Sequence, residues 1–374
     1  TTRAIDPVLR RKKEFEDKSI ATVDFSKKLL GQIVFIYFLQ KKGWLGVEKD
    51  PETKTFREWG TGPKDFLRKL FDAKDYTNFF NDILEPLFYE ALATQRDDDY
   101  YSRFKCKIPF LDGGLFEAIN EYKWNEARIP LKNEIFSNRG RTGIFDVFDR
   151  FNLTVKEDEP LEKEVAVDPE MLGKVFENLL EVTDRKSKGA FYTPREIVHY
   201  MCQQSLINYL ETNSGLSKGD IENFVQNSDF VLGNERRLQI SSESLAEEYR
   251  VPKSIRENFQ KIDQLLKEIK IVDPAVGSGA FPVGMMNEIV KARSILTLFF
   301  DSSHQKERTN YNIKRETVEN CLYGVDIDSS AIDIAKLRFW LSLVVDETNM
   351  DNVKPLPNLD HKLMCGNSLL ESFK

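Results

Sequence analysis

Four short motifs carry residue types and spacings that could bind a ligand, and the most informative is DPAVGSGAF at 273–281. Gly277 and Gly279 would let the backbone turn tightly, because neither has a Cβ that clashes. A helical pattern follows, and its N-terminal amides would face a ligand. In the register of the dinucleotide fingerprint the third glycine position is Pro282, so the loop does not match that fingerprint.

The second motif is GVDID at 324–328, which follows a short apolar run. Asp326 is the candidate for holding a ribose diol, since one carboxylate at a strand end can accept two hydrogen bonds. Asp328 or Ser329 could instead cap the next helix, and both interpretations can hold together. Gly279 and Asp326 are further apart than the roughly twenty residues of a dinucleotide domain. We expect the excess, 291–320, to form a lengthened helix and a loop.

The third motif is CGNSLL at 365–370, where Asn367 could donate to and accept from an adenine edge. An Asn after Gly is also a common turn residue, and spacing alone leaves both interpretations open.

The fourth motif is FYTPREIV at 191–198, which predicts the start of a helix. Thr193 would be the N-cap, Pro194 the first helical residue and Glu196 the partner that completes a capping box. The Thr hydroxyl and its aromatic neighbours could also pack on a ligand, so a purely structural and a binding role are both open.

The motifs after residue 269 belong to an alternation of strands and helices. IKIVD (269–273), LYGVD (322–326) and KLMCGN (362–367) are short apolar runs, and the first two precede long helical patterns. This alternation predicts a parallel α/β sheet. Ligands of such sheets bind at the carboxyl ends of the strands, where the motifs lie.

Residues 1–160 have a helical pattern and no catalytic constellation. The apolar run 29–39 is too short to cross a membrane and predicts a helix buried on most sides. ILEPLFYEALA (83–93) also has the helical period. The charged, proline-containing segment 153–169 predicts a domain boundary near 160, and the polar stretch 211–265 predicts a helical insertion.

The composition and charge limit the classes of function that this chain can have. Of 374 residues, 41% are hydrophobic and 31% charged, which is typical of a globular protein with a core. The net charge of -7 gives no general electrostatic footprint for nucleic acid, so any DNA-binding surface must be local or outside this sequence. Four dispersed cysteines and three histidines indicate neither a disulfide framework nor a metal site. No signal peptide opens the chain, and we expect a cytoplasmic protein without a membrane span.

Taken in order, GAFYTP, DPAVGSGAF, YGVDID and CGNSLL resemble the amino-methyltransferases that act on adenine in DNA, in the gamma order of motifs. The resemblance covers 166–374. The preceding region, with FLQKKGWL and DPEMLGKVFENLLE, looks like the connector of single-chain type IIG restriction–modification enzymes. The fold class implied is α/β, with a helical connector domain (1–160) before an incomplete Rossmann-like methyltransferase domain (161–374).

The resemblance implies S-adenosylmethionine as cofactor. Ten residues would contact it: Tyr192 and Thr193 at the methionine end, Asp273 at the amino group, Ala275, Gly277, Gly279 and Phe281 along the loop, Asp326 at the ribose, Ile327 stacked on adenine, and Asn367 at the adenine edge.

The sequence departs from the family at one decisive point. The catalytic Asn-Pro-Pro-Tyr/Phe motif, which holds the flipped adenine, should follow the third strand, and it occurs nowhere in this sequence. We therefore expect a central fragment that is inactive by itself and contains no catalytic residue. Double-stranded DNA would bind mainly through regions absent here, and a nuclease could belong to the parent protein. A sheet that stops after three strands should self-associate or lose stability.

Two alternatives stay open at this stage. One is a methyltransferase that uses the same cofactor fold on RNA, protein or a small molecule. The other is a non-catalytic module for assembly or DNA docking. A nicotinamide oxidoreductase is disfavoured by Pro282 and by the lack of a catalytic His–acid pair.

Overall fold

The computed structural model describes residues 5, 6, 8, 13–111, 114–150, 193–228, 230–233, 235, 250–347 and 349–370. The chain divides into two compact units. Unit 1 comprises Thr1–Phe176 and Lys336–Leu359, and unit 2 comprises Glu177–Ala335 and Asp360–Lys374. The boundary that the sequence predicts near 160 lies outside the described residues.

Unit 1 is mainly helical. Its elements are α1 (Lys13–Asp17), α2 (Thr22–Lys42), α3 (Phe66–Ala73), two π-helical segments (Phe80–Leu84 and Leu87–Ala91), the strands β1 (Tyr100–Tyr101) and β2 (Cys106–Lys107), three 3₁₀ turns (Ile119–Glu121, Asn133–Ile135 and Met350–Asn352) and α4 (Ile144–Phe148). The two strands pair in antiparallel orientation. The predicted helical character of this half is confirmed over the described residues, with the small sheet as an addition.

Helix α2 contains the apolar run 29–39 and is buried over most of its length, as predicted. It ends at Gly43, which adopts a left-handed conformation with φ of 71° and donates its N–H to the carbonyls of Gln40 and Leu39. The Nε2 group of Gln32, which is buried, donates to the Leu115 carbonyl at 2.9 Å. The polar residues of this helix therefore have partners inside the core, as burial requires.

The segment around Pro86 departs from a regular α-helix. Two π-helical segments flank this proline, and the N–H of Glu85 donates to the Phe80 carbonyl five residues earlier. Proline has no N–H, so it removes a hydrogen bond of the α-helical ladder, and wider turns accommodate the loss. The helical period of 83–93 thus predicted a helix, but not that most of it would be π-helical.

The core of unit 1 is aromatic, which accounts for much of the phenylalanine content. Buried rings meet edge to face, for example Phe79 with Phe145 at 5.6 Å and Phe35 with Phe116 at 5.7 Å between centroids. Edge-to-face contacts of this kind add to the stabilisation from burial itself.

Unit 2 is a mixture of helices and a small parallel sheet. Its elements are α5 (Arg195–Ser214), α6 (Lys218–Gln226), α7 (Lys253–Glu257), α8 (Phe259–Glu268), β3 (Ile271–Asp273), α9 (Ala280–Thr297), α10 (Ser302–Glu307), α11 (Asn310–Asn320), β4 (Leu322–Asp326) and β5 (Leu363–Cys365); helix α12 (Ser329–Asp346) begins in unit 2 and ends in unit 1. Helix α9 packs against α5, α8 and α11. The predicted helical character of 211–265 is confirmed for the residues of this stretch that the structure describes.

The three predicted strands are present and form one parallel sheet in the order β3-β4-β5. Ile271 pairs with Leu322, and Gly324 pairs with Leu363, so the carboxyl ends of all three strands lie at the same edge. The long segment between Gly279 and β4 differs from the prediction. In place of one lengthened helix and a loop it contains the rest of α9 followed by α10 and α11, because Asp301 and Thr309 cap new helices with their side chains.

Within the described part of the chain, no helix is long and apolar enough to cross a membrane. In the same residues, no group of three or more His, Cys, Asp or Glu side chains is arranged to hold a metal ion.

Candidate functional site

The glycine loop between β3 and α9 is a compact turn. Asp273 ends β3, and its Oδ1 accepts the N–H of Ala275 at 3.0 Å. Gly277 and Gly279 have φ values of 51° and 84°, in the left-handed region that glycine adopts without strain. Gly279 is the N-cap of α9. The tight turn predicted from the two glycines is therefore confirmed.

Two glycines allow the loop to approach the rest of unit 2 closely. A Cβ on Gly324, in the middle of β4, would lie 2.8 Å from Cβ of Val276. A Cβ on Gly279 would lie 3.0 Å from Cβ of Ala335, near the start of α12. The N–H of Val276 also donates to the Val325 carbonyl at 3.0 Å. The loop is thus packed and hydrogen-bonded onto β4.

Asp326, at the end of β4, joins the glycine loop to the second strand end. Its Oδ2 accepts the N–H of Gly277 at 2.8 Å, and its Oδ1 accepts the N–H of Asp328 at 2.9 Å. An ionised carboxylate has about four acceptor sites, so this arrangement leaves capacity for a further donor. The carboxylate thereby fixes the loop and remains able to bind a hydroxyl pair.

Asp328 caps helix α12, as the capping interpretation of this motif predicts. Its Oδ1 accepts both the N–H of Ser330 at 3.0 Å and the hydroxyl of Ser330 at 2.6 Å. The two acids of GVDID therefore have separate structural roles, because Asp326 contacts the loop and Asp328 contacts the helix.

The third strand end is tied to the same place. The hydroxyl of Ser368 donates to the Pro274 carbonyl at 2.8 Å, and the N–H of Gly366 donates to the Asp326 carbonyl at 2.8 Å. Asn367 forms a turn in which its Oδ1 accepts the N–H of Leu369 at 3.0 Å. Its amide nitrogen has no hydrogen-bond partner among the described residues and is exposed, so Asn367 can stabilise the turn and still donate to a ligand.

The electrostatics of this edge favour a positively charged ligand. Asp273 and Asp326 are both half-buried, and neither forms an ion pair within the described residues. Burial raises the pKa of Asp273, the N–H of Ala275 lowers it, and the charge of Asp326 raises it again. A cation bound here would relieve the repulsion between the two carboxylates.

The open surface beside these acids would accommodate a ligand. A Cβ built on Gly277 meets no atom within 4 Å, so the loop borders free space there. Ala275 and Ile327 are exposed, and Phe281 is half-buried in the first turn of α9. The edge thus presents apolar contacts, two carboxylates and the amides of a helix N-terminus.

The start of α5 differs from the predicted capping box. The helix begins at Arg195, and its N-cap is Pro194, which adopts an extended ψ of 144° and has no side chain able to cap. Thr193 therefore lies one residue before the cap, and Glu196 is in the first turn without an N-cap partner. Tyr192 lies outside the described residues.

A contact that the sequence analysis missed joins α5 to α9. His199 Nδ1 lies 2.9 Å from Oε1 of Glu288, and the Nε2 group of Gln203 donates to Oε2 of Glu288 at 3.2 Å. Burial raises the pKa of the neighbouring Cys202 thiol to about 12, and the charge of Glu288 adds to the effect, so this cysteine is not a nucleophile. The signal in the sequence was an acid in the mostly apolar first part of α9.

Comparison with known proteins gives relatives of one kind. The chain is 30% identical over 371 residues to a protein of Methanocaldococcus jannaschii named as a type II restriction enzyme and methyltransferase; the match covers 92% of this chain and 27% of that protein. It is 24% identical to a type II restriction enzyme and methyltransferase of Escherichia coli, over 81% of this chain and 35% of that protein. No protein-family model matches the chain.

The solved structure of the type IIL restriction-modification enzyme MmeI in complex with DNA is similar over 99% of this chain and 40% of that chain, with a TM-score of 0.51 and 12% identity. This likeness concerns the fold alone. The chain spans between a quarter and about a third of the length of the curated relatives it matches. It is thus similar to one region of two proteins named as type II restriction enzymes and methyltransferases.

Proposed function

We propose that unit 2 binds S-adenosylmethionine and provides the cofactor-binding part of an adenine-specific DNA methyltransferase of a restriction–modification system. The observation that carries the proposal is the hydrogen bond from Gly277 N–H to Asp326, which brings the glycine loop and the acid of the second strand to one edge. We infer that β3, β4 and β5 are the first three strands of a Rossmann-like methyltransferase sheet. The preceding helical unit would be the connector domain.

The chemistry of the edge fits this cofactor. S-adenosylmethionine supplies a methyl group on a sulfonium and carries a second positive charge on its amino group. Asp273 would accept a hydrogen bond from that amino group, and Asp326 would accept the two ribose hydroxyls. Ala275, Gly277, Gly279 and Phe281 would border the cofactor along the loop, with Ile327 against the adenine and Asn367 at its edge. Thr193 and Tyr192 would lie at the methionine end.

The contribution of this chain to methyl transfer is to bind and orient. The glycine loop, held by Asp326 and Ser368, would fix the cofactor so that its methyl group has one direction of approach. The motif that holds a flipped adenine is absent from these 374 residues, so the substrate would be bound by other parts of a longer protein. Double-stranded DNA is accordingly proposed as the partner of that longer protein.

Calorimetric titration of the 374-residue chain with S-adenosylmethionine tests the cofactor site. We expect saturable binding that Asp326→Asn weakens at least about tenfold, because hydrogen bonds to a charged group contribute about 1.5–3 kcal/mol. Asp328→Asn is the matched control, since an amide oxygen still caps α12 and the glycine loop is untouched. A folded chain that does not bind the cofactor would contradict the proposal.

Alkylation of Cys365 tests the proposed cofactor site independently. Cys365 is exposed, whereas Cys106, Cys202 and Cys321 are buried. It pairs in register with Asp326 on β4, so the two side chains lie on the same face of the sheet. We expect S-adenosylmethionine to slow the reaction of Cys365 with a maleimide. Labelling at an unchanged rate under saturating cofactor would argue against a site at these strand ends.

Methyl transfer itself is tested on a longer protein that contains this sequence and an Asn-Pro-Pro-aromatic motif. With radiolabelled S-adenosylmethionine and plasmid DNA, we expect label in the adenine fraction of the digested nucleosides and none from the 374-residue chain alone. Label in cytosine, or transfer to RNA or protein instead, would replace adenine as the proposed substrate.

A further inference from the structure

Glu288 is a buried acid that the proposed cofactor site does not use. Its side chain is 3% exposed, on the third turn of α9 after the glycine loop. His199 and Gln203, one turn apart on α5, each contact one oxygen of its carboxylate, at 2.9 and 3.2 Å. These three residues are called the Glu288 cluster below. Both oxygens of the buried carboxylate therefore have partners, and both partners come from a single helix.

A buried carboxylate strongly favours whatever conformation keeps its partners in place. Removing it from water costs several kcal/mol unless a charge and hydrogen bonds compensate. Around Glu288 the compensating contacts come from His199 Nδ1 and from the amide group of Gln203. The other buried charged residue of α9, Arg293, pairs with Asp263 and Glu316. Displacing α5 would consequently remove both His199 and Gln203 from Glu288.

The contact between α5 and α9 extends from the Glu288 cluster to the glycine loop. A Cβ on Gly284 would lie 2.8 Å from Cγ1 of Val198 and 3.2 Å from Sγ of Cys202, so the two helices touch closely there. The thiol of Cys202 also donates to the carbonyl of Phe281, two residues after Gly279. The same face of α5 therefore packs against the first two turns of α9. These turns directly follow the glycine loop.

We propose that the Glu288 cluster is a positioning device for the cofactor site: Glu288, through His199 and Gln203, holds the start of α5 on α9 and so fixes the glycine loop and the segment at Thr193 together. This inference rests on the proposed function only for the identity of the ligand. The docking of the two helices can be measured without any ligand.

Cys202 reports the docking directly, because its thiol is buried between the two helices while Cys321 and Cys106 are buried elsewhere. We expect His199→Ala to increase the rate of Cys202 alkylation at least about tenfold, since it leaves one oxygen of a buried carboxylate without a partner and favours local opening. Cys321 and Cys106 should stay protected in the same sample. Mass spectrometry of peptides from the 374-residue chain separates the three sites.

The matched control is His304→Ala. His304 also lies 2.9 Å from a carboxylate, that of Asp301, but both side chains of this pair are mostly exposed. Losing an exposed pair has little effect, so Cys202 should react at the wild-type rate. A conservative change, His199→Gln, keeps a donor near Glu288 and should restore most of the protection.

A double-substitution cycle tests whether the buried charge of Glu288 causes the faster alkylation of Cys202 in His199→Ala. Glu288→Met removes the buried charge and keeps a similar volume, so no buried carboxylate then depends on partners from α5. In that background His199→Ala should change Cys202 labelling by less than about twofold. With wild-type binding of S-adenosylmethionine established, His199→Ala should weaken the affinity severalfold and His304→Ala should leave it unchanged.

Three results would overturn the positioning role. Unchanged Cys202 labelling and unchanged affinity in His199→Ala would show that the Glu288 cluster does not hold α5. Simultaneous exposure of Cys202, Cys321 and Cys106 would show a purely structural role in global stability. Faster Cys202 labelling with an unchanged affinity would show that docking of α5 does not position the site. If wild-type protein binds no cofactor but Cys202 responds as expected, the proposed function fails and the helix contact stands.

Discussion

At the residue scale, Glu85 shows how burial in the first unit is linked to pH. It is 1% exposed, beside the proline that interrupts the helix, and the hydroxyl of Tyr122 donates to its Oε1 at 2.7 Å. Burial raises the pKa of Glu85 from 4.5 to about 8, although the hydrogen bond from Tyr122 opposes the shift. The folded protein therefore holds a proton that the unfolded chain releases at lower pH.

The stability of unit 1 should fall as the pH rises from about 5 to about 8. The folded-state pKa lies above the unfolded value, so the contribution is fully present below pH 4.5 and is lost as the pH passes about 8. The slope would reach about 1.4 kcal/mol per pH unit. All four tryptophans belong to unit 1, so urea unfolding followed by their fluorescence reports it. Glu85→Gln should abolish the slope, and an equal slope in this variant would refute the assignment.

Gly324 is a position at which any side chain would collide with the glycine loop. Ala at this position would place its Cβ 2.8 Å from Val276, so we expect a destabilisation of about 1–3 kcal/mol and weaker cofactor binding as the loop moves away. Gly366→Ala is the control, because its Cβ would meet nothing closer than 3.8 Å. Hydrogen exchange over 271–279 should increase only in Gly324→Ala. Equal exchange in both variants would mean that the loop does not depend on this contact.

At the element scale, a charged network joins the helices behind the sheet. Arg293 on α9 is 2% exposed and pairs with Asp263 on α8 at 3.0 Å and with Glu316 on α11 at 2.8 Å. Arg308 also binds Asp263, and Lys267 binds Glu316. Although burial acts to raise it, hydrogen bonds from the arginines hold the pKa of Asp263 below its ordinary value. The network therefore stabilises unit 2 at neutral pH and loses this effect in acid.

Asp263→Ala should destabilise unit 2 by about 3–5 kcal/mol, since it leaves Arg308 and part of Arg293 without a partner. Amide hydrogen exchange over α8, α9 and α11 would measure the loss. Glu257→Ala breaks the exposed pair between Lys253 and Glu257 on α7, and it should have no measurable effect. Comparable exchange in the two variants would show that the buried network contributes little.

At the scale of the whole molecule, unit 2 exposes apolar surface. Ile197, Tyr200 and Met201 lie on one face of α5, and Val272 and Met364 lie on the sheet. Among the described residues β3 pairs only with β4, so its other edge is open. Open edges and exposed apolar faces favour association.

We expect the 374-residue chain to self-associate as its concentration rises, as measured by light scattering after gel filtration. Val272→Lys and Tyr200→Glu should each shift the equilibrium toward the monomer. Val23→Lys is the control, because Val23 is an exposed apolar residue of unit 1. A wild-type chain that stays monomeric over the whole range would contradict this expectation.

The sequence by itself determined the local features of this protein. The three strands, the buried helix α2 and the turn at Gly277 and Gly279 were predictable, because periodicity and glycine conformation depend on neighbouring residues. The start of α5 was misplaced by one residue, since Pro194 satisfies the sequence rule for a first helical position yet adopts an extended ψ of 144°.

Only the tertiary structure decided what the local features do together. Gly277 and Asp326 are 49 residues apart, and His199 and Glu288 are joined across two helices that the sequence does not place side by side. The assignment of Lys336–Leu359 to the first unit is equally invisible in the sequence. Such contacts depend on how apolar faces pack, and packing is a property of the whole chain that no local pattern records.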